Sequence, residues 1–268
     1  MKYSPMIMGA ESVRGILEGR KTMTRRVVTP QPPGDFDIGM YHPIGVDRHG
    51  EEYPKPERFG IWGDGWDIPC PYGQVGDRIW CKETWGIVTH TFDDNEKVVD
   101  WVPDRPARKI REMRYGNGYY DGHIIYRADG DAEWNAGDDP SIETKTCWES
   151  PLYMPRLASR LTLEITGIRV ERLQNITEDE ALSEGVISDK DYNDRAGESN
   201  LFPCPRCEGY RLQEAFGHDY GISEVDCTLC DTINKRFRII WDSLNAKRGY
   251  PWTVNPWVWV IEFRRVEA

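Results

Sequence analysis

Nowhere in the 268 residues do about eighteen apolar side chains follow one another, the length a helix needs to span a bilayer. The first twelve residues, MKYSPMIMGAES, hold no long apolar segment of the kind that marks a secretory leader. Both absences point to a soluble, cytoplasmic protein with no membrane partner. Positive charge is also short, since 34 Lys and Arg face 45 Asp and Glu, a formal charge of -11. Coating nucleic acid by long-range attraction needs a basic field, so that role is disfavoured, while a local basic pocket stays open. Cysteines number seven, and an odd count suits a reducing compartment better than a disulfide framework. There is no internal repeat, and the length suits one large domain, residues 1–268, with room for an insertion.

Aromatics, by contrast, are plentiful. The 11 Trp and 13 Tyr serve as core filler or as planes on which bases stack. Val13, Ile16 and Leu17 fall at helical spacing, and Gly19 is placed to end that helix. Residues 30–75, rich in Pro, Gly and Asp and without periodicity, read as a long loop or decorated insertion, and 91–122 as another polar stretch. GDRIWCKETW alternates Ile79 and Cys81 against Trp80 and Lys82, which predicts a strand with Glu83 near its end. HIIYRADG predicts a short strand closed by Asp129-Gly130. Along 160–173 the apolar phase moves from Leu161, Leu163 and Ile165 to Ile168 and Val170, as a bulge near Gly167 would cause.

ITEDEALSEG offers Thr177 and Glu180 as a capping box, Ile176 as a staple onto Ala181, and Gly185 as a stop. A last helix presents Ile233, Phe237, Ile240, Trp241 and Leu244 on one face. WVWVIEF, residues 257–263, then reads as a central strand. The pattern is α+β, a small, strongly bent sheet or barrel with flanking helices.

Cys204-Pro-Arg-Cys207 and Cys227-Thr-Leu-Cys230 are two CxxC pairs. Two such turns supply the four tetrahedral thiolates that zinc accepts, and a closed four-sulfur site has no open position for substrate. The expected cofactor is therefore structural Zn2+, in a ribbon inserted at residues 200–232. The ribbon either touches a macromolecular partner or only stabilises its own segment. His218 lies between the pairs, either as a substitute ligand or as a solvated loop residue. Cys70, Cys81 and Cys147 share no such spacing.

GRKTMTRR, residues 19–26, gathers Arg20, Lys21, Arg25 and Arg26 around two threonines. Like charges nearby favour the neutral form of Lys21, which would make it a better base. A solvated basic face at a helix end is the alternative. Glu184 falls in the last turn of its predicted helix, where the dipole disfavours a carboxylate, so it serves in proton transfer or pairs with a surface arginine. Arg156, Ser159 and Arg160 either hold a phosphate or face solvent. Glu83 and Trp85 either read and stack on a base or are structural.

ILEGRKTMTRR resembles the signature of ASCH domains, a branch of the PUA-like fold, with Gly19, Lys21, Thr24 and Arg26 matching position by position. ITEDEALSEG and WVWVIEF are similar to later parts of that family. The resemblance implies a PUA-like bent β-barrel. From the small amidohydrolase members, which act on N4-acetylcytidine, it also implies Lys21 as proton acceptor, Thr24 as nucleophile and Glu184 as proton donor. Arg20, Arg26, Glu83, Trp85, Arg156, Ser159 and Arg160 then fall to substrate binding. GDRIWCKETW, YRADG and MPRLASR resemble phage and prophage members of this length, implying a bacterial host or phage-infected cell. The expected function is hydrolysis of an acylated nucleoside or nucleotide. The alternative is a non-catalytic module binding single-stranded nucleic acid or a modified base, and a role in phage assembly or host interaction is a third.

Overall fold

The computed structural model describes residues 1–95, 97–132, 147–190, 204–208, 212–216 and 222–266. The described elements are α+β, with strands in the majority. The N-terminal half holds β1 (Tyr3–Ile7), α1 (Ala10–Leu17), β2 (Met23–Val27), β3 (Asp37–Tyr41), β4 (Ile44–Val46), β5 (Glu52–Pro54), β6 (Arg58–Gly63), β7 (Trp66–Pro69), β8 (Arg78–Lys82), β9 (Trp85–Val88), β10 (His90–Phe92), β11 (Val98–Asp100), β12 (Arg108–Tyr115) and β13 (Gly118–Tyr126). After it come β14 (Thr162–Arg172), α2 (Glu178–Ser183), β15 (Leu212–Phe216), β16 (Ile222–Asp226), α3 (Ile233–Asn245) and β17 (Trp257–Val266).

Two compact units divide the chain: Met1–Glu18, Gly76–Glu164 and Arg264–Ala268 form one, and Gly19–Val75 with Ile165–Phe263 form the other. In the first, β1 pairs in parallel with β8, and β8 pairs antiparallel with the start of β14. Ile79 and Cys81 are fully buried, as the alternation predicts. A separate sheet, β12-β13-β9, encloses Trp85, Ile110, Met113, Ile124 and Tyr126. Helix α1 is tied to this unit by Arg14 Nη1, which donates to the Ala128 carbonyl at 3.0 Å.

In the second unit the strand order continues β14-β17-β2, so β17 is central and Val258, Trp259, Val260 and Ile261 are all buried. Against it pack Leu173, Ile176, Ala181, Phe237 and Trp241. Four details of the sequence reading are corrected. Closing a barrel requires the first and last strands to pair, but among the described residues β1 has β8 as its one neighbour and β2 has β17, so no closed barrel forms. Residues 30–75 hold five strands in two antiparallel arrays. Ladder bonds and a Tyr41–Trp62 ring stack at 5.1 Å hold them, with little burial to imprint an alternating pattern. Residues 91–122 likewise hold the end of β10, then β11, β12 and the start of β13. Leu244 is exposed, and the buried place on α3 goes instead to Arg236.

Candidate functional site

Strand alternation sets Met23 and Arg25 on one face of β2 and Thr24 and Arg26 on the other. Lys21, just before the strand, forms an isolated antiparallel bridge with Glu184. Glu184 is the residue that ends α2. The helix opens on the predicted capping box, with Thr177 accepting from the Glu180 amide at 3.2 Å and Glu180 accepting from the Thr177 amide at 3.1 Å. It closes on Gly185, whose φ of +89° is the left-handed conformation that glycine accepts. A Cβ there would stand 3.2 Å from the Lys21 Cβ, so glycine also lets the lysine pack against the helix end.

Lys21 Nζ donates to the Glu184 carboxylate at 2.8 Å and to its carbonyl at 2.6 Å, and both side chains are buried. Burial pushes the Lys21 ammonium below its ordinary pKa. Glu184 opposes that shift, while Arg26 and Arg25 add to it. The neighbouring arginines therefore act in the direction the sequence suggests, but desolvation is the larger cause. Arg25, its side chain wholly enclosed, reaches Glu171 at 2.6 Å, Glu180 at 2.8 Å and Glu184 at 3.5 Å. Arg169 then pairs with Glu171, Glu180 and Glu262. Three cations and four carboxylates thus form one network, which runs from the enclosed Lys21 and Arg25 to Arg169 and Glu262, 36% and 42% exposed.

The network contains a base, an acid and a short contact between them. Passing one proton across the 2.8 Å contact converts ammonium and carboxylate into amine and carboxylic acid. That is the pair of groups an acyl transfer needs. Thr24 is buried on β2 opposite Ile261, and Arg20 Nη1 donates to the Gly185 carbonyl at 3.3 Å. Arg25, Arg169, Glu171 and Glu262 were not among the expected site residues. The two-residue spacing of Arg169 and Glu171 on β14 was the signal for that pair, and the basic cluster GRKTMTRR already held Arg25.

The remaining residues expected to bind substrate belong to the other unit. Arg160 holds Glu83 with two bonds at 2.9 Å and Asp129 with bonds at 3.0 and 2.7 Å, its guanidinium 4.0 Å from the Tyr126 ring centre. Burial pushes the Glu83 carboxyl up, and Arg160 opposes the shift. Ser159 Oγ donates to the Cys81 and Leu161 carbonyls. Trp85 is fully enclosed, edge-on to Tyr115, and has no open face for a base. Arg156 is exposed above the Tyr3 ring.

Cys204, Cys207, Cys227 and Cys230 are all buried, their sulfurs within 4.8 Å of one another. The contacts of 3.8 Å between Cys204 and Cys227 and 3.5 Å between Cys207 and Cys230 lie close to the spacing of about 3.8 Å that a tetrahedron of 2.3 Å metal–sulfur bonds requires. Burial raises the Cys204 thiol, yet bonds from the Cys207 and Arg206 amides and from the Cys207 and Cys230 side chains outweigh it and lower it from its ordinary value. The four sulfurs therefore fit one metal ion. The antiparallel pair β15–β16 lies between the two CxxC turns. Buried Arg236 donates to the Cys230 carbonyl at 2.9 Å, to the Ile187 carbonyl at 2.8 Å and to Asp189 at 2.5 Å. An arginine within the apolar face of INKRFRIIW was the sequence signal for it. His218 lies outside the described residues.

No helix among the described residues is long and apolar enough to cross a membrane. Compared with protein-family models, curated proteins and solved structures, the chain matches none.

Proposed function

We propose that the chain is an ASCH protein of the PUA-like class, its sheet opened rather than closed, and that it hydrolyses an acyl amide on a modified nucleoside or nucleotide such as N4-acetylcytidine. The observation that carries this reading is the buried contact of Lys21 Nζ with the Glu184 carboxylate, with the lysine held toward its neutral form. Neutral Lys21 takes the hydroxyl proton of Thr24, and Thr24 Oγ1 attacks the amide carbonyl carbon. As the tetrahedral intermediate collapses, the C–N bond breaks and Glu184 gives its proton to the leaving amine. Lys21 then returns its proton to Glu184 across their contact and deprotonates a water, which attacks the ester carbonyl; as the ester C–O bond breaks, the Thr24 oxygen takes that proton back from Lys21 and the carboxylic acid leaves. Arg20 and Arg26 bind the substrate beside the reacting centre.

The four cysteines hold a structural Zn2+, a closed set of thiolates with no place for substrate. Incubation with N4-acetylcytidine, followed by chromatography, is expected to yield cytidine, with the rate lowered at least about 100-fold in Lys21→Ala. The folded wild type yielding no cytidine rejects this substrate. Oligonucleotide binding that Arg26→Gln weakens, without turnover of any acylated nucleoside, favours the non-catalytic alternative.

A further inference from the structure

A second group of cations belongs to the first unit and shares no residue with the Lys21 network. The parallel register of β1 and β8 sets Tyr3 beside Arg78, Pro5 beside Trp80 and Ile7 beside Lys82. Ser4, Met6, Ile79 and Cys81 are buried, so these six side chains share the outward face. Arg156 adds its guanidinium 4.0 Å from the centre of the Tyr3 ring, and Arg78 lies 5.8 Å from the same ring. Lys82 Nζ stands 5.5 Å from the centre of Trp80 and also donates to the Leu152 carbonyl, which brings a turn with exposed Leu152 and Tyr153 to the same face.

Among the described residues neither Arg78, Lys82 nor Arg156 makes an ion pair with a carboxylate. Glu164, which extends the face from β14, is taken by Arg264 at 2.7 Å, and buried Asp77 accepts from the Lys2 amide. Three cations without acidic partners, interleaved with aromatic rings, stand out in a chain of charge -11.

We infer that this face binds single-stranded nucleic acid, with bases stacked on Tyr3, Trp80 and the Arg156 plane and phosphates met by Arg78 and Lys82. Rings and guanidinium planes accept any base, and cations between them match a chain that alternates bases with phosphates. Two residues along a strand and one strand across put Tyr3 and Trp80 about 8 Å apart at their Cα atoms, room for separate bases on each. A duplex hides its base planes and has nothing to offer the rings.

Fluorescence anisotropy with labelled oligothymidylate and oligouridylate tests the inference. Binding is expected to weaken with salt, the logarithmic slope falling by about 0.7 for each of Arg78→Gln and Arg156→Gln. Tyr3→Leu and Trp80→Leu are each expected to weaken it roughly 5- to 150-fold. No anisotropy change at low salt overturns the proposal, as does equal affinity for a duplex. Loss in the charge variants with none in the aromatic ones also overturns it, and points to an acidic peptide instead. Should Trp80→Leu fail to fold, Tyr3→Leu and Arg156→Gln, at exposed positions, decide the outcome.

Discussion

Taking Lys21 out of water disfavours its charge by more than Glu184 restores, so the ammonium sits below the ordinary 10.5 despite a carboxylate in contact. The unfolded chain then holds the lysine proton more tightly than the folded one, and the stability owed to this position rises with pH from the lowered native value up to 10.5. Lys21→Met is expected to cost about 3 kcal/mol at neutral pH by urea denaturation, because Glu184 is left buried with Arg25 alone. The wild type's advantage should widen toward alkaline pH. Lys21→Met combined with Glu184→Leu should recover most of the loss, since no charge is then stranded. Lys21 and Glu184 were legible as candidates from residue type and position, and Thr24 through the resemblance to ASCH domains. That Glu184 is enclosed against Lys21, and not on the surface, was not legible, because the two lie 163 residues apart.

Elements carried more of their own definition. The box at Thr177 and Glu180, the stop at Gly185 and the alternation of β8 are local, and each appears as expected. The buried face of α3 was only half legible, because hydropathy cannot announce that Arg236 turns inward to three carbonyl and carboxylate oxygens. Through Arg236 the cysteine cluster holds Ile187 and Asp189, a few residues beyond Glu184. Metal analysis should find one ion per chain at these sulfurs. Its removal by a chelator, or Cys227→Ser, should speed amide hydrogen exchange at residues 184–189 and in the first turns of α3. Unchanged exchange there would show that the cluster stabilises only its own turns.

At the scale of the whole molecule, carboxylates that fold against cations make stability depend on pH on the acid side. Burial raises the Glu180 carboxyl, but the Thr177 amide, Arg25 and Arg169 outweigh it and hold it below the ordinary 4.5. A carboxylate depressed in the native state supports the fold above 4.5 and ceases to do so as pH falls through its native value. Acid unfolding followed by circular dichroism should therefore steepen below 4.5, and Glu180→Gln should flatten that part of the curve.

Composition, charge, capping signals and the paired CxxC turns are properties of neighbours in the chain, so the sequence by itself determined the α+β class, the helix ends and the four cysteines that cluster. Which carboxylates surround Arg25, that Arg160 clasps Glu83 and Asp129, that Trp85 is enclosed and that the sheet stays open all depend on contacts between distant segments. Only the tertiary structure decided them, because a buried charge takes whichever partner packing brings within reach, and no local pattern encodes that choice.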